Sequence, residues 1–415
     1  MKEDKNICLF CQNQLSIIEQ DMDFSVSEVE LLQKPTRVLL FNVPLRMDSG
    51  VVRFFNAYRV IHNDALGPAK GGLRFHKDVD LDEVKTLAFI MSLKCSLAGL
   101  ALGGAKGGIE VDMSKLSESE KERLARNFIR VAYDFIGPDK DIPAPDIGTT
   151  PQIMDYMEDE YSKIKGEKTL SVITGKSIKN GGSEGRDIAT AYGGSFVLKK
   201  QVLADNLKPE NLKVAIQGFG NVGSNMAQIL FDWGYKIIAI SDENGGIGND
   251  DGLDIAKVMS EQKSFGTVPE INGSRKISNR ELLESDCDIL VPAAISDQIT
   301  EKNVKNIKAG IIVEMANAPV STKADRILFE RGVKIIPDII ANSGGVIVSH
   351  LEWVQNRDGE HWPKEKVLRE LEKKISESFN GILLTCQEEK CDLRKSAYIT
   401  AVRRILEAEK KRGNL

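Results

Sequence analysis

The chain has 415 residues, too long for one ordinary core and suited to two domains of roughly 150–250 residues each. It is 41% hydrophobic and 28% charged with a net charge of −5, a globular balance without the basic field that nucleic acid requires. The opening MKEDKNICLF lacks the apolar core of a secretory signal, and the longest near-apolar run, Leu87 to Leu102, contains a lysine and is too short to span a bilayer; no membrane contact is expected, and a cytoplasmic location is.

Cys8 and Cys11 form a lone C-x-x-C near the start, with no second pair to complete the roughly four ligands of a zinc site, so no metal is expected. The first 180 residues read as apolar helical runs interrupted by two glycine-rich loops, GPAKGGLRF and LGGAKGGI. A polar, glycine-dense stretch, Lys179 to Arg186, precedes a helical pattern from Ile188 to Leu203. From Asn211 onward, short β-branched runs alternate with helices: Lys213–Gln217, Lys236–Ile240, Ile289–Pro292, Ile311–Glu314 and Lys334–Pro337. Five such runs predict a parallel, doubly wound α/β sheet. Beyond Gly345 the pattern is helical to the end, closing with an amphipathic segment over Ser396–Lys411 that is expected to pack back on the first domain.

A dinucleotide fingerprint lies inside the second half. Gly218-Phe-Gly220-Asn221-Val222-Gly223 follows the strand Val214-Ala-Ile-Gln and opens a helix read over Ser224–Trp233, with Gly234 as its C-terminal stop and Asp242 at the end of the next strand. Gly218 suits the tight turn, Gly220 a close backbone approach to a pyrophosphate, and Gly223 close helix–strand packing, while the helix N-terminus offers unpaired N–H groups to phosphate. Asp242 can accept from ribose hydroxyls. Glu243 adds negative charge and no arginine stands beside it for a 2′-phosphate, so NAD is favoured and NADP remains open.

Three lysines stand in unusual company. Lys94 is the only charge in the Leu87–Leu102 run, where an unpaired cation would cost several kcal/mol. Lys70, in Pro-Ala-Lys-Gly-Gly, and Lys106, in Gly-Gly-Ala-Lys-Gly-Gly, have neighbours without side-chain bulk. Such a set fits a dianionic substrate, with one lysine lowered in pKa by burial and like charge. Asp146, in Ile-Pro-Ala-Pro-Asp-Ile-Gly, is the natural carboxylate partner, or else a cap for the helix that begins near Pro151. His62, His76, His350 and His361 have no metal-ligand spacing and read as structural or surface residues, His350 drawing interest because it follows Ser349.

Taken together, GPAKGGLRFH, LKCSLAGLALGGAKGGI, DIPAPDIGT, GFGNVG, MANAP and NSGGVIVSHLEWVQN resemble the glutamate/leucine/phenylalanine/valine dehydrogenase family from about Val43 to the C-terminus. Within it the likeness is to the small hexameric type. The resemblance implies a substrate-binding and oligomerisation domain over 1–183, completed by the C-terminal helix at 388–415, and a Rossmann-like NAD(P)-binding domain over 184–387. It implies that Lys106 polarises the carbonyl or carbinolamine oxygen and activates water, and that Asp146 shuttles protons. Lys94 would hold the α-carboxylate; Lys70 would face the side-chain carboxylate with Ser349. Thr190 and Asn221 would contact the cofactor, and Asn317 and Asn342 would line nicotinamide and substrate. A cleft closing between the domains would exclude water during hydride transfer.

Family members for apolar amino acids need an apolar pocket where Lys70 and Ser349 stand here. Retention of both polar groups points to glutamate and 2-oxoglutarate, with ammonium, as the small-molecule partners. A dehydrogenase for an apolar amino acid and a weakly active or regulatory paralogue are the alternatives. Ala101, Met315, Ala318, Ser343, Glu184 and Asp187-Ile188 depart from the family's usual residues and add bulk or charge near the cofactor segments.

Overall fold

The computed structural model describes residues 15–18 and 22–415, so Cys8 and Cys11 lie outside the described residues. The described residues divide into two compact units: the first takes those up to 186 with 346–367 and 398–415, the second 187–345 and 368–397. Among the described residues no helix is long and apolar enough to cross a membrane.

The first unit is built on a mixed five-stranded sheet, in the order β1-β2-β4-β3-β5. Its strands are β1 Arg37–Arg46, β2 Val52–Asn63, β3 Ala69–His76, β4 Gly103–Glu110 and β5 Asp141–Pro145. β3 runs parallel to both β4 and β5, and β2 antiparallel to β1 and β4. The two glycine-rich segments expected as loops are therefore strands β3 and β4. Their glycines are demanded by packing, not by turns: a Cβ on Gly71 would lie 1.5 Å from the Ala105 carbonyl oxygen, and one on Gly104 would lie 2.1 Å from the Ser92 nitrogen. Ser92 belongs to the helix Leu81–Leu97, capped by Asp80, so Gly104 sets how closely that helix lies on β4. This helix begins earlier and ends earlier than the apolar run suggested, because Gly99, at φ +61°, turns the chain before Leu102. The other layer holds Leu124, Phe128, Met154 and Met157 from the helices Glu118–Ala132 and Pro151–Lys165 against Val43, Leu73 and Ile109 of the sheet.

The second unit carries a seven-stranded sheet in the order β12-β11-β10-β6-β7-β8-β9. Five strands run parallel as expected: β6 Lys213–Gln217, β7 Lys236–Asp242, β10 Ile289–Pro292, β11 Ile311–Val313 and β12 Lys334–Ile336. Two short antiparallel strands, β8 Gly245–Gly248 and β9 Arg275–Ile277, extend one edge. Chain direction across the sheet reverses at β6, with β7 on one side and β10 on the other, so the loop after β6 sits at a topological switch point. The helices Ala189–Ala204 and Asn221–Asp232 pack in this unit, and Gly234, at φ +88°, ends the latter. The helices Gly344–Asp358, Lys364–Glu389 and Leu393–Arg412 complete the chain.

Candidate active site

Side chains alternate across a strand. Lys70 is in register with Gly104 and Ile142, and Arg74 with Gly108. Lys70, Arg74, Lys106 and, one step past the end of β5, Asp146 therefore fall on one face of the first sheet. Asp146 is held there from two sides. Its Oδ2 accepts from the Lys106 ammonium, its Oδ1 accepts from Arg74 Nε at 2.8 Å, and Arg74 reaches on to Glu83. A Cβ on Gly72 would come within 2.9 Å of the Asp146 Cβ, so glycine there clears the carboxylate's path. The helix Pro151–Lys165 is capped by Thr150, not by Asp146, which leaves the carboxylate to the two cations. The Thr149 hydroxyl accepts the Asp146 N–H at 2.7 Å and Gly148 turns at φ +77°, which fixes the backbone of this loop.

Electrostatics follow from that packing. Burial pushes the Asp146 carboxyl up, but Lys106 and Arg74 outweigh it and hold the group at about 2. Burial lowers the Lys106 ammonium, and Asp146 pulls the other way. Beneath, on the opposite face, Arg59 clamps β5 to the middle of the sheet. It donates Nε and Nη2 to the two oxygens of Asp141 at 2.7 and 2.5 Å, and Nη1 to the Gly71 and Gly72 carbonyls.

Lys70 is buried, and its ammonium donates to the Ile142 carbonyl at 3.2 Å, the Pro143 carbonyl at 3.3 Å and the Thr174 hydroxyl at 2.6 Å. Burial lowers its pKa to about 7, with Glu352 working against that. Lys94 is buried in the last turn of the helix Leu81–Leu97. Burial pushes the thiol of the adjacent Cys95 up to about 12, with Lys70 and Lys94 both working against that. Ser349 is buried on the helix Gly344–Asp358, one turn before Glu352. Glu352 accepts from the Gly175 N–H at 2.8 Å and the Lys176 ammonium at 2.8 Å, the residues that follow Thr174, so this helix is tied to the Lys70 corner. His350 stacks on Trp353 at 5.7 Å. His62 lies between the Ser92 hydroxyl and the Leu32 carbonyl, and burial lowers its pKa to about 4.

Arg74, Arg59, Asp141, Thr174 and Glu352 were not singled out by sequence. Arg74 was within reach, since it stands four residues after Lys70 on the same face of one strand. The remainder depend on contacts across tens of residues.

In the second unit the turn after β6 has the form a dinucleotide needs. Gly218 turns at φ +91°, and its N–H donates to the Ser241 carbonyl at 2.8 Å. A Cβ on Gly223 would sit 1.8 Å from the Gly218 oxygen, whereas one on Gly220 would meet nothing within 4 Å. Gly223 thus serves internal packing, while open space lies over Gly220 at the N-terminus of the helix Asn221–Asp232. Val222 is half-buried and Asn221 exposed, its amide donating to the Asp187 carbonyl at 2.9 Å; Thr190 opens the helix Ala189–Ala204. Asp242 ends β7 and accepts from Asn244 N–H, the Thr267 hydroxyl and Val268 N–H at 2.8, 2.5 and 2.6 Å. It lines a cavity of about 500 Å³ together with Glu261, Glu270 and Lys276, the last paired with Glu270. Asn342 donates to the Asn317 side chain at 3.0 Å, which brings these two together at the ends of β11 and the helix Asp338–Ala341.

Four of the unusual residues have local settings. Met315 packs its sulfur against Gly194, where a Cβ would lie 2.3 Å away. Ser343 donates to the Ile340 carbonyl at 2.8 Å, and Glu184 accepts from the Lys364 N–H at 3.0 Å. Ala318 adopts φ +45°, a left-handed conformation costing about 1–2 kcal/mol for a residue with a Cβ. Nothing in the structure explains Ala101. Among the described residues no three His, Cys, Asp or Glu side chains gather as metal ligands.

The two glycines separate fold from binding. Gly223→Ala is expected to lower thermal stability by about 1–3 kcal/mol, since backbone must shift. Gly220→Ala is expected to change stability by less than about 0.5 kcal/mol while weakening NADH binding about tenfold. Melting curves beside NADH fluorescence titrations decide it; equal affinity in Gly220→Ala and the parent would remove the pyrophosphate from this turn.

A Rossmann-type sheet with this turn, joined in one chain to a lysine-rich sheet face, defines a two-domain, dinucleotide-dependent dehydrogenase. Comparison with known proteins narrows this. Residues 35–163 match the family described as Glu/Leu/Phe/Val dehydrogenase, dimerisation domain, and residues 181–413 match Glutamate/Leucine/Phenylalanine/Valine dehydrogenase. An NAD-specific glutamate dehydrogenase of Staphylococcus aureus (strain COL) is 46% identical over 413 residues, covering 100% of both chains. A catabolic NAD-specific glutamate dehydrogenase of Bacillus subtilis (strain 168) is 46% identical, covering 99% of this chain and 97% of its own. Among solved structures, glutamate dehydrogenase from Peptoniphilus asaccharolyticus superposes with a TM-score of 0.89 at 37% identity, covering 98% and 99% of the two chains. The Leu-bound, hetero-hexameric glutamate dehydrogenase from Thermus thermophilus gives 0.91 at 33% identity, covering 100% and 98%. The chain belongs to the Glu/Leu/Phe/Val dehydrogenase family.

Proposed function

We propose that the chain is an NAD-dependent glutamate dehydrogenase, converting L-glutamate, NAD⁺ and water to 2-oxoglutarate, ammonium, NADH and a proton, and the reverse. The observation that carries this reading is the gathering of Lys70, Arg74, Lys106 and Asp146 on one face of one sheet, in a chain whose other unit holds the glycine turn. A cation-rich face suits a substrate with two carboxylates, and the identity to NAD-specific relatives supports both substrate and cofactor.

Lys94 holds the α-carboxylate, and Lys70 with Ser349 holds the side-chain carboxylate. Asp146 begins ionised because two cations grip it. Arrival of a substrate that competes for those cations raises its proton affinity, so that it can take a proton from the amino nitrogen. NAD, when bound, supplies the acceptor for the hydride leaving the substrate α-carbon. Lys106, whose ammonium burial disfavours, releases its proton to solvent as the substrate displaces Asp146; the neutral amine then takes a proton from the water that adds to that carbon and returns it as ammonium departs. For the cofactor, the residues that would hold it are Gly218, Gly220, Asn221, Val222 and Gly223 at the pyrophosphate, Asp242 at ribose, and Thr190 and Asn317 toward the nicotinamide, with Asn342 on the substrate side.

The same reading makes the protein a cytoplasmic homohexamer. Support for assembly comes from the exposed apolar Leu40, Val52 and Phe54 on β1 and β2 and Val51 in the turn before β2, where β1 is a sheet edge. Steady-state rates of NADH formation with glutamate, leucine, valine and phenylalanine, repeated with NADP, test the proposal. Glutamate with NAD is expected to give the highest kcat/KM. A preference for leucine would overturn the substrate, and cofactor binding without turnover would make the chain a regulatory paralogue.

A further inference from the structure

Beyond the two asparagines, the second unit holds a buried polar junction that no role accounts for. Glu314, immediately after β11, has no exposure, and its carboxylate takes three donors: Arg394 Nη1 at 3.0 Å, Arg394 Nη2 at 2.8 Å and the Asp338 N–H at 3.0 Å. Arg394 spends its remaining Nε on Asp325, in the helix Thr322–Glu330, at 2.9 Å. Asp338 in turn accepts the N–H of Ala318 at 2.9 Å, and Ala318 is the residue held left-handed. Between Glu314 and Ala318 stand Met315, Ala316 and Asn317, and the helix that Asp338 opens ends at Asn342. One guanidinium thus grips Glu314 directly and, through Glu314, the start of the helix that leads to Asn342.

Energetics argue that this junction has a job. A buried carboxylate and guanidinium cost several kcal/mol to desolvate, and well-packed apolar residues usually do as well for stability alone. What a forked donor adds is direction, since two parallel N–H groups fix the carboxylate plane and Nε fixes the fork. Fixed direction is useful where a strained backbone must hold one conformation, as at Ala318.

We infer that Arg394 is a positioning residue for the reaction: through Glu314 and Asp338 it fixes the Met315–Ala318 loop and the Asn342 turn against the bound dinucleotide. The inference rests on the proposed function, in which Asn317 and Asn342 line the nicotinamide and substrate. Arg394 touches neither substrate nor cofactor in this scheme; it acts only through the loop.

Arg394→Lys keeps the charge but cannot span both oxygens of Glu314 and Asp325 together; Arg394→Met removes the charge; Asp325→Asn leaves the fork on Glu314 and weakens the third contact. For the full-length enzyme, kcat is expected to fall about a hundredfold in Arg394→Met, the scale of a roughly 1 Å misplacement, with a smaller loss in Arg394→Lys and the least in Asp325→Asn. NADH affinity, read by fluorescence without glutamate, is expected to weaken in the same order, while KM for glutamate, set chiefly by Lys94, Lys70 and Ser349, changes less than NADH affinity. Should Arg394→Met fail to fold, Arg394→Lys and Asp325→Asn still give the graded series. Lowered melting temperatures with unchanged kcat and NADH affinity in the folded variants would overturn the inference and leave Arg394 purely structural. A parent enzyme that binds NADH but never oxidises glutamate would instead sink the functional reading on which it stands.

Discussion

Lys106→Ala is expected to lower turnover of glutamate by about three orders of magnitude while NADH binding stays within about twofold of the parent. Lys106 is buried and its amine pairs with Asp146, so truncation removes two things at once. The site loses the amine that takes a proton from water, and Asp146 loses the stronger of its two cationic neighbours. With Arg74 alone, the Asp146 carboxyl is expected to move upward from about 2, since burial then acts with less opposition. The remaining rate should therefore show a shifted acid limb in its pH profile, beyond the drop in kcat. Lys106→Arg separates the two effects, because a guanidinium keeps the charge beside Asp146 but cannot give up its proton. It should leave the acid limb near its original place and still lose most of the turnover. Steady-state kinetics across pH, beside NADH fluorescence titration, provide the readout. Retention of more than about a tenth of the rate by Lys106→Ala would remove Lys106 from the proton transfers.

The dinucleotide unit was legible because its signal is local. Strand, glycine turn, helix and acid follow one another within the 30 residues from Lys213 to Asp242, and each glycine has a reason that a reader of the sequence can supply. β8 and β9 were not legible: GGIG and RKI are too short and too poor in β-branched residues to carry a strand pattern. The first sheet failed for a more instructive reason. AKGGLRFH and GGAKGGIE violate strand propensity, because glycine there answers a partner's backbone and not its own turn. Only the position of Ala105 and Ser92 in space reveals that need. Yet the chemistry-bearing residues in those strands were visible, since lysine between glycines is conspicuous whatever the local structure. Arg74 escaped because a loop has no faces, whereas in a strand it shares one with Lys70. Bulk at Met315 shows the same limit from the other side: the compensating absence, at Gly194, is more than a hundred residues away.

Lys70→Leu combined with Ser349→Val is expected to invert the substrate preference. A site built around a carboxylate rejects a substrate that leaves its charge unpaired, and the loss of that charge removes the penalty; discrimination of this kind reaches about 10⁴-fold. kcat/KM for glutamate should fall by roughly that factor, while leucine or valine gains about ten- to a hundredfold, the worth of one or two buried methylenes. The change has a structural cost that must be met. The Lys70 ammonium donates to the Ile142 and Pro143 carbonyls and the Thr174 hydroxyl; leucine removes that donor from all three, and while the Pro143 carbonyl keeps the Thr174 N–H at 3.1 Å, each acceptor left unpaired costs about 1–3 kcal/mol. Adding Thr174→Val removes one of the three and supplies apolar wall, so the triple variant should melt higher than the double while keeping the inverted preference. Glu352 must stay, because it anchors the Gly175–Lys176 backbone that shapes this corner. Competition experiments with glutamate and leucine together read the preference directly. If both variants fold and still favour glutamate as strongly as the parent, the side-chain carboxylate is bound elsewhere, and the ammonium of Lys70 serves the strands and not the substrate.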